Sequence, residues 1–403
     1  MKAQTVKDGP AKRPVRRKPG PGGAGKGTWE PEEQSRRFTG NAAVLLGIVV
    51  LLNLIGLLMV LSASSVHALQ EYGSSWVFFK RQVLWVLVGG LGLVLAARVD
   101  YRRWGVVAIP LLAVTCVLLV AVLVPGLGVA VNGSSRWLRA GPMSLQPSEL
   151  GKLALILFGA GLLHRRADRM DEPRVTMRPV LVVFGALAVL VMGQPDMGTT
   201  IVLSVIFFTL IFVAGTPMVP LGKIAGSFIV LGYLAARLEP YRWARMSSFR
   251  DPFADVANSG YQLAQSLVGL GTGGLTGLGL GASRAKWGFL PNAHTDFIFA
   301  ILGEEFGMVG SVLTVLLFLA FAVIGVRIAL RAPDRFGALV AAGITAWVAG
   351  QAFLNIGVVV GALPVTGVPL PFLSFGGSSL LFTMAATGIL LNIAAQGRVV
   401  TKP

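Results

Sequence analysis

The stretch LPNAHTDFIFA places Asp296 at the start of an apolar run, directly after His294 and Thr295. A carboxylate in that position has two uses. It can cap a helix, because Asp favours the N-cap and a negative charge suits a helix N-terminus. It can also act as a general base in a transferase, removing a proton from a sugar hydroxyl while basic side chains stabilise a departing pyrophosphate. The two roles are compatible.

Other charges inside apolar runs are costly, so each is a candidate for function. Glu149 and Lys152 in QPSELGK are three residues apart, which puts them on one helix face as an ion pair that either fixes packing or does chemistry. Glu304 and Glu305 follow Asp296 by two turns or more, roughly 12 Å along a helix axis; they either line a cavity or bond to a neighbouring helix. Asp196 in QPDMGTT reads as a helix N-cap. His67 and His164 lie near the ends of apolar runs, where an interfacial place is sufficient, and the eight Trp fit membrane interfaces. The single Cys116 excludes an intrachain disulfide and a cysteine-based metal site.

The elements that must position these residues are membrane spans. Only 13% of the 403 residues are charged and 54% are hydrophobic, which leaves too little polar surface for a water-soluble fold. Ten segments are apolar and long enough to count, near 41–64, 77–98, 104–125, 147–164, 179–194, 197–215, 221–238, 296–330, 337–359 and 376–396. The fifth is short, and only Gln194-Pro195-Asp196 separates it from the sixth. The eighth is too long for one straight crossing and is expected to tilt, protrude or kink near Gly303, Gly307 or Gly310. Residues 1–40, with ten Lys or Arg and rich in Pro and Gly, read as a disordered basic tail, and residues 397–403 form a short C-terminal tail.

The net charge of +17 suits either nucleic acid or an anionic membrane surface. Lys and Arg sit between apolar runs and not on one face with interleaved aromatics, which excludes nucleic acid as a partner. With both termini cytoplasmic, most basic residues obey the positive-inside rule, in a multi-pass protein of the cytoplasmic membrane. The exceptions carry information. Lys80, Arg81 and Lys152 lie in spans, Arg136 and Arg139 in the outside loop 126–146, and Arg237, Arg242, Arg245, Arg250, Arg284 and Lys286 in or beside the outside loop 239–295. An anionic ligand at that surface is the natural reason. The long loop also carries the tract GLGTGGLTGLGLGAS, which lacks the Gly-Lys-Ser/Thr of a nucleotide loop and reads as a flexible connection or as backbone that approaches a phosphate or sugar.

Six motifs, in order, resemble the SEDS family of peptidoglycan polymerases, the FtsW, RodA and SpoVE type. They are SSRWLRAGPMSLQPSELGKLAL at 134–155, QPDMGTT at 194–200, PYRWARMSSFRDPFAD at 240–255, SGYQLAQSLVGLGTGG at 259–274, LPNAHTDFIFAILGEEFGMVG at 290–310 and NIGVVVGALPVTGVPLPFLSFGGSSLL at 355–381. The resemblance covers about 41–396. It implies an all-α membrane enzyme of ten transmembrane helices, with a large extracytoplasmic loop between spans seven and eight, that polymerises lipid II into β-1,4 glycan strands. It further implies that Asp296 is catalytic and that Glu149 and Lys152 form a required ion pair. Arg136, Arg242, Arg245 and Lys286 become the candidates for holding pyrophosphate, with His294, Thr295, Glu304, Glu305 and Asp196 as secondary candidates. Implied partners are lipid II, undecaprenyl-linked glycan, a class B penicillin-binding protein and other proteins of a division or elongation complex. No cofactor is implied with certainty, and a divalent cation stays open.

The residues GEE at 303–305 and GGSS at 376–379 look more like division-type members, whereas Phe375 and Gly288 depart from their pattern. Septal synthesis is therefore expected ahead of a RodA-like role in elongation and cell shape. A lipid II flippase and a recruiting scaffold are the alternatives from other classes; the basic residues gathered at one face and the lack of an internal repeat favour chemistry.

Overall fold

A computed structural model describes residues 40–397 except 132–133, 141–142, 239, 257 and 259. The expected basic tail, apart from Gly40, and all but the first residue of the C-terminal segment lie outside the described residues. Twelve α-helices are described: α1 (Gly40–Tyr72), α2 (Val77–Arg98), α3 (Tyr101–Leu123), α4 (Pro147–Arg165), α5 (Pro173–Met192), α6 (Met197–Val213), α7 (Met218–Arg237), α8 (Pro240–Ser248), α9 (Tyr261–Gly273), α10 (Ile298–Leu330), α11 (Arg335–Val359) and α12 (Gly377–Gln396). Each of the ten apolar segments corresponds to one helix. Eight of them (α1, α2, α3, α5, α7, α10, α11 and α12) are long and apolar enough to cross a membrane. The expectation of ten turns on α6, apolar but only 17 residues, and on α4, which carries Glu149 and Lys152.

Three boundaries differ from expectation for physical reasons. α1 runs on to Tyr72, because SSVHALQEY contains no breaker before Gly73, which takes φ 69. α5 is not short, since Pro173 sits at its first turn, where no N–H is needed, and the helix starts six residues earlier than the apolar run. The loop 126–146 is not irregular. It forms an antiparallel meander of β1 (Gly128–Val131), β2 (Ser134–Ala140) and β3 (Met143–Leu145) that leads into α4.

The helices pack so that α11 touches α4, α6 and α10, while α12 lies along α2 and α3 along α4. α4, α11 and α12 are the most enclosed. Their buried faces place Lys152, Gln351, Asn355, Thr383 and Asn392 inside the bundle. By contrast α7 buries only Ala236 along its length, as befits a helix that meets lipid.

α10 breaks at Gly307, the second of the three glycines expected to kink it, with φ 65 and ψ −161. The break is mended by the glycine-rich tract. Leu278 and Gly279 N–H donate to the carbonyls of Glu304 and Glu305, and Met308 and Val309 N–H donate to those of Gly274 and Leu275, at 2.9–3.2 Å. These four groups are the ones a regular helix would pair with each other, so the loop supplies bonds that the helix loses. A side chain at Gly277 would meet Glu305 O at 2.2 Å, which explains the glycine there. Residues 274–279 of the tract are therefore not a slack connection; they are fitted to the kink.

Candidate active site

Asp296 lies in a tight turn before α10. The Asn292 carbonyl accepts from Thr295 N (3.0 Å), Phe297 N (3.3 Å) and the Thr295 hydroxyl (3.2 Å), and Asn292 itself adopts φ 56. The N-cap of α10 is Phe297, one residue later than the capping role open to Asp296. The turn is clamped by the segment between α11 and α12 and by Asn355 of α11. Ser374 Oγ donates to Thr295 O (2.6 Å), Phe375 N to His294 O (2.9 Å) and Asn355 Nδ2 to Asp296 O (2.7 Å). The same segment crosses the carboxylate, since a Cβ on Gly367 would lie 3.6 Å from Asp296 Oδ2. The aspartate is half-buried.

The Glu149–Lys152 pair is present and fully enclosed. Lys152 Nζ lies 2.8 Å from Glu149 Oε1 and 2.8 Å from Gln351 Oε1, with the Trp347 ring centroid at 5.0 Å. Trp347 Nε1 donates to the same Gln351 oxygen (3.0 Å), and Gln351 Nε2 donates to Pro369 O (2.9 Å). One turn on, Asn355 Nδ2 also donates to Val368 O (2.8 Å). Gln351 and Asn355 were not among the expected site residues, because the sequence reading followed formal charge. The available signal was two amides spaced i, i+4 in an otherwise apolar span.

Asp196 caps α6, accepting from Thr199 N (3.0 Å) and Thr199 Oγ1 (2.9 Å), as expected. Its second oxygen also accepts from Gln146 Nε2 (3.3 Å). Arg136 sits at a bulge of β2, between Ser135, paired to Ala130, and Trp137, paired to Val129. A bulge turns a side chain off the regular face, and the guanidinium reaches Gln194 O, Pro195 O and, at 3.8 Å, Asp196 Oδ1. Arg136 thus holds the turn between α5 and α6.

Two further expectations are corrected or narrowed. Lys286 does not present its ammonium to a surface: it is buried and bonded to Gly281 O (2.5 Å), Ser62 Oγ (3.1 Å) and Glu305 Oε1 (3.3 Å). Glu304 and Glu305 bond to neighbouring segments. Glu304 accepts from Ser283 Oγ, Arg284 N and Ala285 N, and Glu305 from Ser62 Oγ and Ser283 N. Arg242 and Arg245 belong to α8, and their side chains lie outside the described residues.

His294 packs among His67, Phe78 and Phe375, with ring centroids 4.9–5.8 Å away. Burial, and then the neighbouring His67, push its imidazole down from 6.5 to about 4, so it is neutral near pH 7. Along α10, from Phe299 to Leu316, runs an apolar cavity of about 400 Å³, lined by Leu270, Phe299, Gly303, Met308, Ile356 and Val360 among others. Among the described residues no three His, Cys, Asp or Glu side chains gather as a metal site.

A bundle of apolar helices that buries an ion pair, linked through Gln351 to the segment clamping the Asp296 turn, is an integral membrane protein with a built polar site. The chain belongs to the cell cycle protein family of FtsW, RodA and SpoVE, whose model matches residues 42–399. It is 44% identical over 358 residues to stage V sporulation protein E of Bacillus subtilis, across 88% of this chain and 97% of that one. It is 39% identical over 354 residues to a probable peptidoglycan glycosyltransferase FtsW of Geobacter metallireducens, across 88% and 94%. A chain from a solved peptidoglycan synthase complex, described for coordinating polymerization and crosslinking, is similar in structure with a TM-score of 0.72 at 28% identity, across 87% and 97%.

Proposed function

We propose that this chain is a peptidoglycan glycosyltransferase that polymerises lipid II, with Asp296 as general base. The observation that carries the reading is the clamped Asp296 turn in a chain of this family. Asp296 would take the proton from the 4-hydroxyl of an incoming GlcNAc as that oxygen attacks C1 of a MurNAc. The C1–O bond to undecaprenyl pyrophosphate breaks, and the α-linked donor becomes a β-1,4 product. A base placed within hydrogen-bond reach contributes about 10²- to 10⁴-fold. The apolar cavity beside Phe299 suits a polyisoprenyl tail, and it explains why the catalyst is itself a membrane protein.

With Lys286 engaged by Glu305 and Arg136 by the turn between α5 and α6, Arg242 and Arg245 are the foremost remaining candidates for the pyrophosphate. His294 and Thr295 contribute backbone carbonyls to the clamp. The chain spans the cytoplasmic membrane ten times with both termini inside, which puts the starts of α4, α6, α10 and α12, and Asp296 with them, on the outer face. The domain plan is a basic cytoplasmic tail over 1–40, a catalytic membrane domain over 41–396 containing the outside loop 239–295, and a short C-terminal tail. Septal synthesis together with a class B penicillin-binding protein is the setting that the FtsW relatives favour.

Purified protein with labelled lipid II and its partner transpeptidase tests this. Glycan ladders that vanish in Asp296→Ala and persist with a transpeptidase-dead partner are the expected result. Lipid flipping by wild type and by Asp296→Ala, without polymer from either, would replace the enzyme reading by transport.

A further inference from the structure

We propose that Gln351 and Asn355 are positioning residues for Asp296, coupling the buried Glu149–Lys152 pair to the α11–α12 segment that clamps the Asp296 turn. Gln351 can face only one way. Its Oε1 meets two donors, Lys152 Nζ and Trp347 Nε1, so its amide nitrogen must point to an acceptor, and the acceptor is Pro369 O. The ammonium of Lys152 thereby sets the orientation of a side chain that fixes the segment. Asn355, four residues on and on the same face of α11, spends both amide hydrogens on Val368 O and Asp296 O, which ties the segment and the turn to one group.

Both amides are buried, at 0% and 2% exposure, so an unmade bond leaves a carbonyl without water to replace it. The register of these bonds decides where Gly367 passes relative to the Asp296 carboxylate. It follows that the ion pair need not touch substrate: it acts through Gln351. A shift of about 1 Å at a reacting group costs on the order of 100-fold, so loosening the segment acts on turnover and leaves substrate affinity in place.

For its kinetic consequence the proposal rests on the polymerase reading, and the experiment separates the two. Wild type, Gln351→Met, Asn355→Ala, Lys152→Met and Gln351→Met/Lys152→Met are compared for lipid II polymerisation and for backbone hydrogen exchange. Thr345→Val, elsewhere on α11, whose hydroxyl donates to Ala341 O, is the control for packing. Expected are a kcat lowered about 10- to 100-fold, a KM within about twofold, faster exchange in 292–297 and 361–376, and a double variant no worse than either single one. Thr345→Val leaves all of these unchanged. Unaltered exchange in both segments with Gln351→Met, or a raised KM at constant kcat, overturns the proposal. If wild type makes no polymer, the polymerase reading fails and hydrogen exchange alone decides the coupling.

Discussion

Among the described residues two lysine–carboxylate pairs are buried, and their surroundings differ. Lys286 and Glu305 join α10 to the glycine-rich tract and α1, while Glu304 next door collects two backbone amides and the Ser283 hydroxyl. The bonds of that group fasten loop residues 283–286 and Ser62 of α1 to the broken helix. Lys152 and Glu149 lie on a single helix, α4, and their outward link is the amide of Gln351. That link ends on the segment above Asp296. Similar charges at similar burial thus have different partners: one group ties α1 and a loop to α10, the other is linked through Gln351 to the segment that bonds the Asp296 turn. An intramembrane charge is a fair flag for importance, but its partners decide what the importance consists of.

The comparison breaks most visibly at Asp296. Asp296→Asn keeps the shape of the side chain and removes the base, so polymerisation should fall about 10²- to 10⁴-fold while the protein elutes and melts as wild type; retained turnover would dissociate the Lys152 network from chemistry. Next in size is Glu305→Gln, which leaves Lys286 buried without its counter-charge and should cost about 3 kcal/mol of stability. Adding Lys286→Met should restore much of the melting temperature, with KM for lipid II unchanged. A raised KM in that double variant would return Lys286 to the pyrophosphate.

Gly277→Ala sharpens the structural side of the contrast. Its Cβ would enter the contact with Glu305 O at a residue of φ 81, and a loss of about 1–3 kcal/mol in thermal stability is expected. The corresponding hydrogen-exchange change should stay within 274–279 and 304–309. The smallest effect concerns His294. Its folded-state value, about 4, lies below the unfolded 6.5, so the unfolded chain binds the extra proton first. Its contribution is complete above pH 6.5 and is lost as pH falls towards 4. His294→Phe, among aromatic neighbours, should flatten the acid limb of a melting-temperature profile.

Much of the fold was legible because a bilayer imposes one rule, a run of about 20 apolar residues per crossing. The ten segments therefore map onto ten helices, and the too-long eighth run announced the break that falls at Gly307. The meander at 128–145 and the helices α8 and α9 were not legible, since their short, mixed-polarity stretches acquire shape only against the bundle. Asp196 as a helix cap needed only neighbours in sequence, and it was read correctly. Lys286 was read from its place in a basic loop, but its partners Ser62 and Glu305 are 224 and 19 residues away.

By itself the sequence determined the membrane class, the helical runs, the family and the aspartate at the start of the eighth run, because these depend on composition, period and local motif. Only the tertiary structure decided which buried amides bond to the Asp296 turn and the segment beside it, and which lysine is engaged elsewhere. Hydrogen bonds join groups by distance in space and not by spacing in the chain, and a buried donor takes whichever acceptor the packing brings within about 3 Å.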